Sequence, residues 1–363
     1  MAAKGGTVIK KIKIWRENLD LTRPYTIAYQ TIDSVENIFV YLETDNGLHG
    51  IGSGSPADFI TGENMDDAEN VLNNKLESFL YGRDIKKLNE ICRDLQVEFP
   101  ETPAARMAVD IALYDIFAKY LGISIAGFLG QVHQAIPTSK TIGIKATIEE
   151  TLAEADEHMS TGFKLIKLKI GKEVDKDIEF TARLRERLGP HIGIRVDANQ
   201  GYSVADLIKY AEKTKNMNIE LIEQPLNKAN VSDMKDVPDT IKRLCAADEN
   251  LHSPADALEL AGNPQNFGIY NIKLMKSGGI YPSMQIGNIA QIAGINLMWG
   301  CMDESIISIT AALHAAFACP ATKFLDLDGS FDLARDIVSG GFILKDGLLM
   351  LPDKPGLGVE MLK

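Results

Sequence analysis

Three acidic residues, Asp197 in RVDANQ, Glu223 in LIEQP and Asp248 in AADEN, close three successive β-rich segments with no histidine or cysteine among them. Converging carboxylates repel one another, and an oxygen-only set suits a hard divalent cation, with Mg²⁺ the natural candidate. Taken singly, each acid could equally cap a following helix, Asp248 and Glu249 ahead of NLHSPAD most readily. Lysines flank the trio. FKLIKLKIG puts Lys167 and Lys169 on one strand face and Ile166, Leu168 and Ile170 on the other, while NIKLMKSGG supplies Lys273 and Lys276. An isolated KxK can also be a solvated face or a guard against edge pairing.

Lysines on both sides of a carbon next to a carboxylate suit proton abstraction. One removes the proton and the other returns it from the opposite side, so the stereocentre inverts. A metal and a further cation, here Lys167, would stabilise the enediolate, and neighbouring cations give a lysine the lowered pKa that a base needs. Lys169 and Lys273 are the expected pair. Lys273 is preferred to Lys276 because it is expected inside a strand, whereas Lys276 abuts Gly278 and Gly279 and is expected to face phosphate or solvent.

The elements that must position these residues have a regular rhythm. From about Thr138, eight β-rich runs alternate with helical stretches: TSKTIGI, KLIKLKI, GIRVDAN, IELIEQP, RLCAADEN, YNIKLMK, INLMWGCM and KFLDLDG. Lys169, Asp197, Glu223, Asp248, Lys273 and Asp326 recur at intervals of 28, 26, 25, 25 and, across two strands, 53 residues. One βα unit per interval places all of them at the carboxyl ends of consecutive strands, where barrel active sites form. The expected fold class is α/β, a parallel (β/α) barrel of TIM type, with an open doubly wound sheet as the alternative. In a closed barrel, strands two and six lie across the mouth, which sets Lys169 opposite Lys273.

The first third reads as an α+β unit. VIKKIKIWREN, NIFVYLET and LHGIGS are strands, the last two joined at Asp45-Asn46-Gly47, and helices are expected from Met65 to Phe79 and from Thr102-Pro103 to Gly122. The expected organisation is a capping domain over 1–135, the barrel over 136–330 and a tail over 331–363, with turns at Asp346-Gly347 and Pro355-Gly356, that returns to the cap.

A net charge of −12 argues against nucleic acid as partner. No run approaches the length of a membrane span, and the start MAAKGGTVIKKIKIW lacks an apolar signal core, so a cytoplasmic location is expected. Cys92, Cys245, Cys301 and Cys319 show no CxxC spacing, which indicates neither a disulfide framework nor a zinc site. The acidic surface is compatible with a monomer or a homo-oligomer.

Over essentially its full length the chain resembles the muconate-lactonizing subgroup of the enolase superfamily, through KxK at 167–169, DAN at 197–199, EQP at 223–225, DE at 248–249, Lys273 ahead of Gly278-Gly279, and PGLGV near the end. Lysine or histidine bases with Mg²⁺ are a known pattern of that superfamily. The resemblance implies a modified (β/α)7β barrel under an α+β cap, Mg²⁺ held by Asp197, Glu223 and Asp248, and supporting roles for Asn199 and Glu249. FLDLDGS sets Asp326 and Asp328 on one face of the eighth strand, similar to the DxD motif with which dipeptide epimerases bind a substrate's α-ammonium. The same two residues could instead cap the turn before Gly329.

In this family the cap loops, here 16–33 and 53–63, close over the mouth and choose the side chain. Gln30 stands where Ala-Glu epimerases place an arginine, so an acidic second residue is disfavoured, and Arg23 could substitute only with a rearranged loop. Ser53 departs from a GxGE pattern. The expected substrate is therefore a dipeptide with a small or apolar second residue, Ala-Ala-like. The alternatives are o-succinylbenzoate synthase or muconate cycloisomerase chemistry, which needs no Asp326-Asp328 pair, and a non-catalytic binding protein that kept the barrel.

Overall fold

The computed structural model describes residues 6–23, 25–26, 31–32 and 34–362. The eight expected β-rich runs form one parallel sheet in sequential order: Lys140–Ile142, Leu165–Lys169, Gly193–Asp197, Ile219–Glu223, Cys245–Ala247, Ile269–Ile272, Asn296–Gly300 and Thr322–Asp326. A parallel bridge between Thr138 and Leu325, with Ser139 N–H donating to Leu325 O at 3.2 Å, joins the eighth strand to the chain entering the first. The sheet is therefore a barrel and not the open alternative. Helical segments follow the first seven strands, and after the eighth the chain leaves the barrel.

Local chemistry starts several of these helices. Thr147 with Glu150, Ser203 with Asp206, and Ser253 with Asp256 form reciprocal capping boxes, each satisfying amides that a first turn leaves free. The strands are apolar on both faces, as a covered parallel sheet requires. Lys167 and Arg195 are exceptions, buried at 3% and 2% exposure and both ion-paired.

In the N-terminal part, Ile9–Asn18, Glu36–Thr44 and His49–Gly54 form an antiparallel sheet, with the expected turn at 45–47. The long helix Pro103–Leu121 packs on it unusually closely. A Cβ at Gly50, Gly52 or Gly54 would overlap the carbonyls of Ala112, Ala108 and Ala104, so the alternate glycines of one strand face match the four-residue repeat of the helix. Helix Met65–Leu80 and helix Leu88–Glu98 complete this layer.

The tail is more divided than one hairpin. Ile343–Lys345 turns at 346–347 into Leu348–Met350, which also pairs with Ala135–Pro137, while Val338–Gly340 pairs with Val359–Met361. Gly356 exchanges backbone bonds with Ile123 and Ile125, and Leu357 N–H donates to Asp115 of the long helix at 2.8 Å. Among the described residues, no helix is long and apolar enough to cross a membrane.

Candidate active site

The carboxyl ends of the barrel strands gather most of the expected residues. Lys169 and Asp197 are register partners on strands two and three, and Asp197 and Glu223 on strands three and four. Lys169 Nζ lies 2.7 Å from Asp197 Oδ2. Lys167 Nζ lies 2.7 Å from Glu223 Oε2, 2.7 Å from Asp326 Oδ2 and 3.2 Å from Asp197 Oδ2, so one ammonium serves three strand ends. Lys273 Nζ lies 2.9 Å from Asp248 Oδ2.

Burial and charge divide the carboxylates. Burial pushes Asp197 upward, but Lys169 and Lys167 outweigh it and hold the group down at about 2. Burial and the repulsion of Asp197 drive Glu223 up to about 8. Asp248 is buried, yet Lys273 and Lys276 keep it well below the usual carboxylate range. Burial raises Glu249 to about 7, with Asp248 adding to the shift. Shifts in opposite directions within one buried cluster make it a candidate functional site.

The donor set fits Mg²⁺. Asp197, Glu223 and Asp248 offer only oxygen and are buried; the first two end adjacent strands and Asp248 is the first residue beyond the next one. Glu249 Oε2 is buried with no hydrogen-bond partner, an expensive state for an acceptor unless a cation faces it, whereas Glu223 Oε2 already faces the Lys167 ammonium. Among the described residues no three acidic, histidine or cysteine side chains stand gathered as a metal cluster, since each of the three carboxylates is turned to an ammonium.

Four placements differ from expectation. Lys276 does not face solvent: it is 3% exposed and donates to Asp248 Oδ1 and to the Asp248 carbonyl. The one-turn helix Leu274–Ser277 brings it back onto the carboxylate that Lys273 holds. Lys273 is the first residue beyond its strand, not inside it. Asp328 likewise lies past the eighth strand, which ends at Asp326 because Leu327 N–H bonds Thr138 Oγ1; the Asp328 carboxylate accepts Thr141 N–H at 2.9 Å. Arg23 is not drawn to the mouth but pairs with Glu157 on the surface at 2.9 Å. Gln30 lies outside the described residues.

Asn199 N–H donates to Asp197 Oδ1 at 2.9 Å, and Glu249 accepts Gln200 Nε2 at 3.3 Å. Sequence reasoning missed Gln224, buried beside Glu223 with a positive φ of 31°. Its amide oxygen accepts Asp248 N–H at 2.9 Å and its nitrogen donates to Asn250 at 2.7 Å, which fixes the fifth strand end to the fourth. The EQP motif was the available signal. Glu304 was also missed: it is 3% exposed, and burial raises it to about 7. Ser53 is buried without a hydrogen-bond partner for its hydroxyl. A cavity of about 310 Å³ at the opposite barrel end, lined by Lys164, His191 and Glu220, gathers no comparable cluster.

Family models and relatives agree with this geometry. Residues 9–130 match the mandelate racemase / muconate lactonizing enzyme N-terminal domain, and residues 150–363 the enolase C-terminal domain-like family. The chain belongs to the enolase superfamily. Within that superfamily it is similar to an L-Lys-D/L-Arg epimerase of Desulforapulum autotrophicum, 53% identical over 97% of this chain and 99% of that one. An L-Ala-D/L-Glu epimerase of Bacillus subtilis is 32% identical over 97% and 96%. A Methylococcus capsulatus dipeptide epimerase, solved with Mg and L-Arg-D-Lys, superposes with a TM-score of 0.95 at 48% identity, covering 97% of this chain and 99% of that one. This superfamily member is an isomerase, related to dipeptide epimerases, and the solved Methylococcus capsulatus relative holds Mg.

The Ala-Ala-like expectation does not survive. Relatives sharing about half their residues with this chain are named for Lys and Arg. The expectation rested on Gln30, and one uncharged loop residue disfavours an acidic partner without choosing among the others.

Proposed function

We propose that the protein epimerises dipeptides carrying cationic side chains, of the Lys-Arg type, at the α-carbon of the C-terminal residue. The observation that carries the reading is the opposition of Lys169, on strand two, and Lys273, at the end of strand six, with Asp197, Glu223 and Asp248 between them. Asp197, Glu223 and Asp248 would hold Mg²⁺, which when bound supplies positive charge to the substrate carboxylate. Lys167 adds a fixed cation beside the same oxygens and stabilises the enediolate as the α-proton leaves. One of Lys169 and Lys273 takes that proton to its ε-amine, and the other delivers one to the opposite face.

At the other rim, Asp326 and Asp328 bind the substrate ammonium. Acids around the ends of strands seven and eight support a cationic substrate: Asp303, Glu304, Asp326, Asp328 and Asp332 stand there, with Lys140 and Lys167 as counter-charges. The identities to named Lys/Arg epimerases point the same way. Four unpaired cysteines support a cytoplasmic setting. The test is deuterium uptake by L-Lys-L-Arg, L-Ala-L-Ala and L-Ala-L-Glu in D₂O with Mg²⁺, read by mass spectrometry. Uptake of one mass unit should be fastest for L-Lys-L-Arg; faster uptake by L-Ala-L-Ala would restore the apolar assignment.

A further inference from the structure

A continuous set of contacts links residues 55–63 to the turn behind Lys273. Glu63 is 2% exposed, and its carboxylate accepts Ala104 N–H and, at 3.4 Å, Ala105 N–H, free amides in the first turn of the long helix Pro103–Leu121. Thr102, which precedes that helix, gives it no side-chain cap, and its own hydroxyl is buried without a partner. The cap therefore comes from 40 residues upstream in sequence, roughly, and a carboxylate at that position also complements the helix dipole. The same segment rests on the barrel. Ser55 N–H points to Met275 Sδ at 3.2 Å, and its hydroxyl donates to Asp303 O at 3.0 Å.

Farther along the long helix, Arg106 donates to Ser277 O at 3.2 Å and to Phe99 O at 2.9 Å, and Asp110 accepts Ile280 N–H at 2.5 Å. The chain passes between them at Gly278 and Gly279, with φ of +87° and +123°. A Cβ at either would overlap Arg106 or Asp110. This clamped turn is reached directly from Lys273, whose carbonyl accepts Lys276 N–H at 3.0 Å to start the one-turn helix.

We propose that Glu63 is a positioning residue for Lys273: by capping the long helix it fixes Arg106 and Asp110, and through them the Gly278-Gly279 turn that sets the lysine. The proposal rests on the two-lysine reading above. Lys169 lies outside this path. It ends a strand laddered between Lys140–Ile142 and Gly193–Asp197, and the chain just after it bonds to Asp197 O and Asp177, all within the barrel. Displacement of a reacting group by about 1 Å costs on the order of a hundredfold in rate, so a loosened cap should affect one base and spare the other.

The experiment follows α-deuterium incorporation into L-Lys-L-Arg and L-Lys-D-Arg by the full chain with Mg²⁺, after Lys169→Ala and Lys273→Ala have assigned each epimer's exchange to one lysine. Glu63→Ala should slow the Lys273-dependent exchange about tenfold or more and change the Lys169-dependent exchange less than about twofold. Glu63→Gln, which keeps an acceptor for Ala104 but not the charge, should recover part of the loss and leave an asymmetry of about threefold. Equal slowing of both exchanges, or slowing of neither, would overturn the proposal. Where circular dichroism shows Glu63→Ala unfolded, Glu63→Gln takes its place, with an asymmetry of about threefold expected and its absence decisive against the inference. Wild-type protein that exchanges neither epimer would overturn the two-lysine reading, and this inference with it, before any Glu63 variant is made.

Discussion

Lys169 and Lys273 meet the same carboxylate cluster but are held in different ways. Lys169 is the last residue of its strand, register partner of the aspartate it pairs with, and its side chain is 23% exposed. Lys273 stands one residue beyond its strand, its side chain 9% exposed, and the segment after it is clamped by Arg106 and Asp110 from the N-terminal part of the chain. Lys169 is placed by the barrel ladder, while the segment after Lys273 depends on contacts across some 170 residues of sequence. Under the proposed two-lysine reaction, its two faces would be open to separate tuning, one by the barrel and the other through the cap.

Stripping the metal should break both sides at once. Treatment with EDTA should lower epimerisation of L-Lys-L-Arg about a thousandfold or more, restored by Mg²⁺ and measured by polarimetry; residual activity within about tenfold of the untreated protein would remove the metal from the account. The next largest effect belongs to the substrate's ammonium end, which neither lysine serves. Asp326→Asn with Asp328→Asn should lower kcat/KM about a hundredfold, mainly through KM, and an unchanged KM would rule against that role.

Lys276 sharpens the contrast between the lysine pairs, because it shares Asp248 with Lys273 whereas Lys167 spreads over three carboxylates. Lys276→Met should lower kcat about tenfold while leaving α-proton exchange from both epimers measurable, and complete loss of one exchange would make Lys276 the base instead. The smallest effect is on stability. Burial raises Glu63 to about 7 against its bonds from Ala104 and Ala105 and the charge of Arg106, with Asp67 adding to the rise. An acid raised in the folded state stabilises fully below its ordinary value and loses that contribution as pH rises through the folded one. The Tm of the wild type should therefore fall by about 3 °C relative to Glu63→Gln between pH 5 and pH 8, read by calorimetry; a constant difference would contradict the assignment.

The barrel was legible because its signals are local. Each strand is a short β-rich run, and the acids and lysines that end them repeat at the length of one βα unit. Lys169, Asp197, Glu223 and Asp248 stand out through that period, and Lys167 through sharing a strand face with Lys169. Lys276 was misjudged because a single helical turn after the strand returns position i+3 to the same carboxylate, which strand alternation does not anticipate. Asp328 looked like a strand residue because its spacing from Asp326 is two, yet the ladder stops where Thr138 takes over a backbone amide. Arg23, Ser55 and Glu63 act through partners 134, 248 and 41 residues away, and no periodicity reports such pairs. Substrate choice failed because it was read from Gln30 alone, and one uncharged loop residue disfavours an acidic partner without choosing among the others.

The central claim is that two lysines work from opposite faces of one carbon. Its most direct test is α-hydrogen exchange in D₂O by Lys169→Ala and by Lys273→Ala, each given L-Lys-L-Arg and L-Lys-D-Arg separately with Mg²⁺. The account predicts that both variants lose epimerisation, and that each retains exchange from only one epimer, the two being complementary. A variant that still epimerises, or both variants exchanging the same epimer, would contradict it.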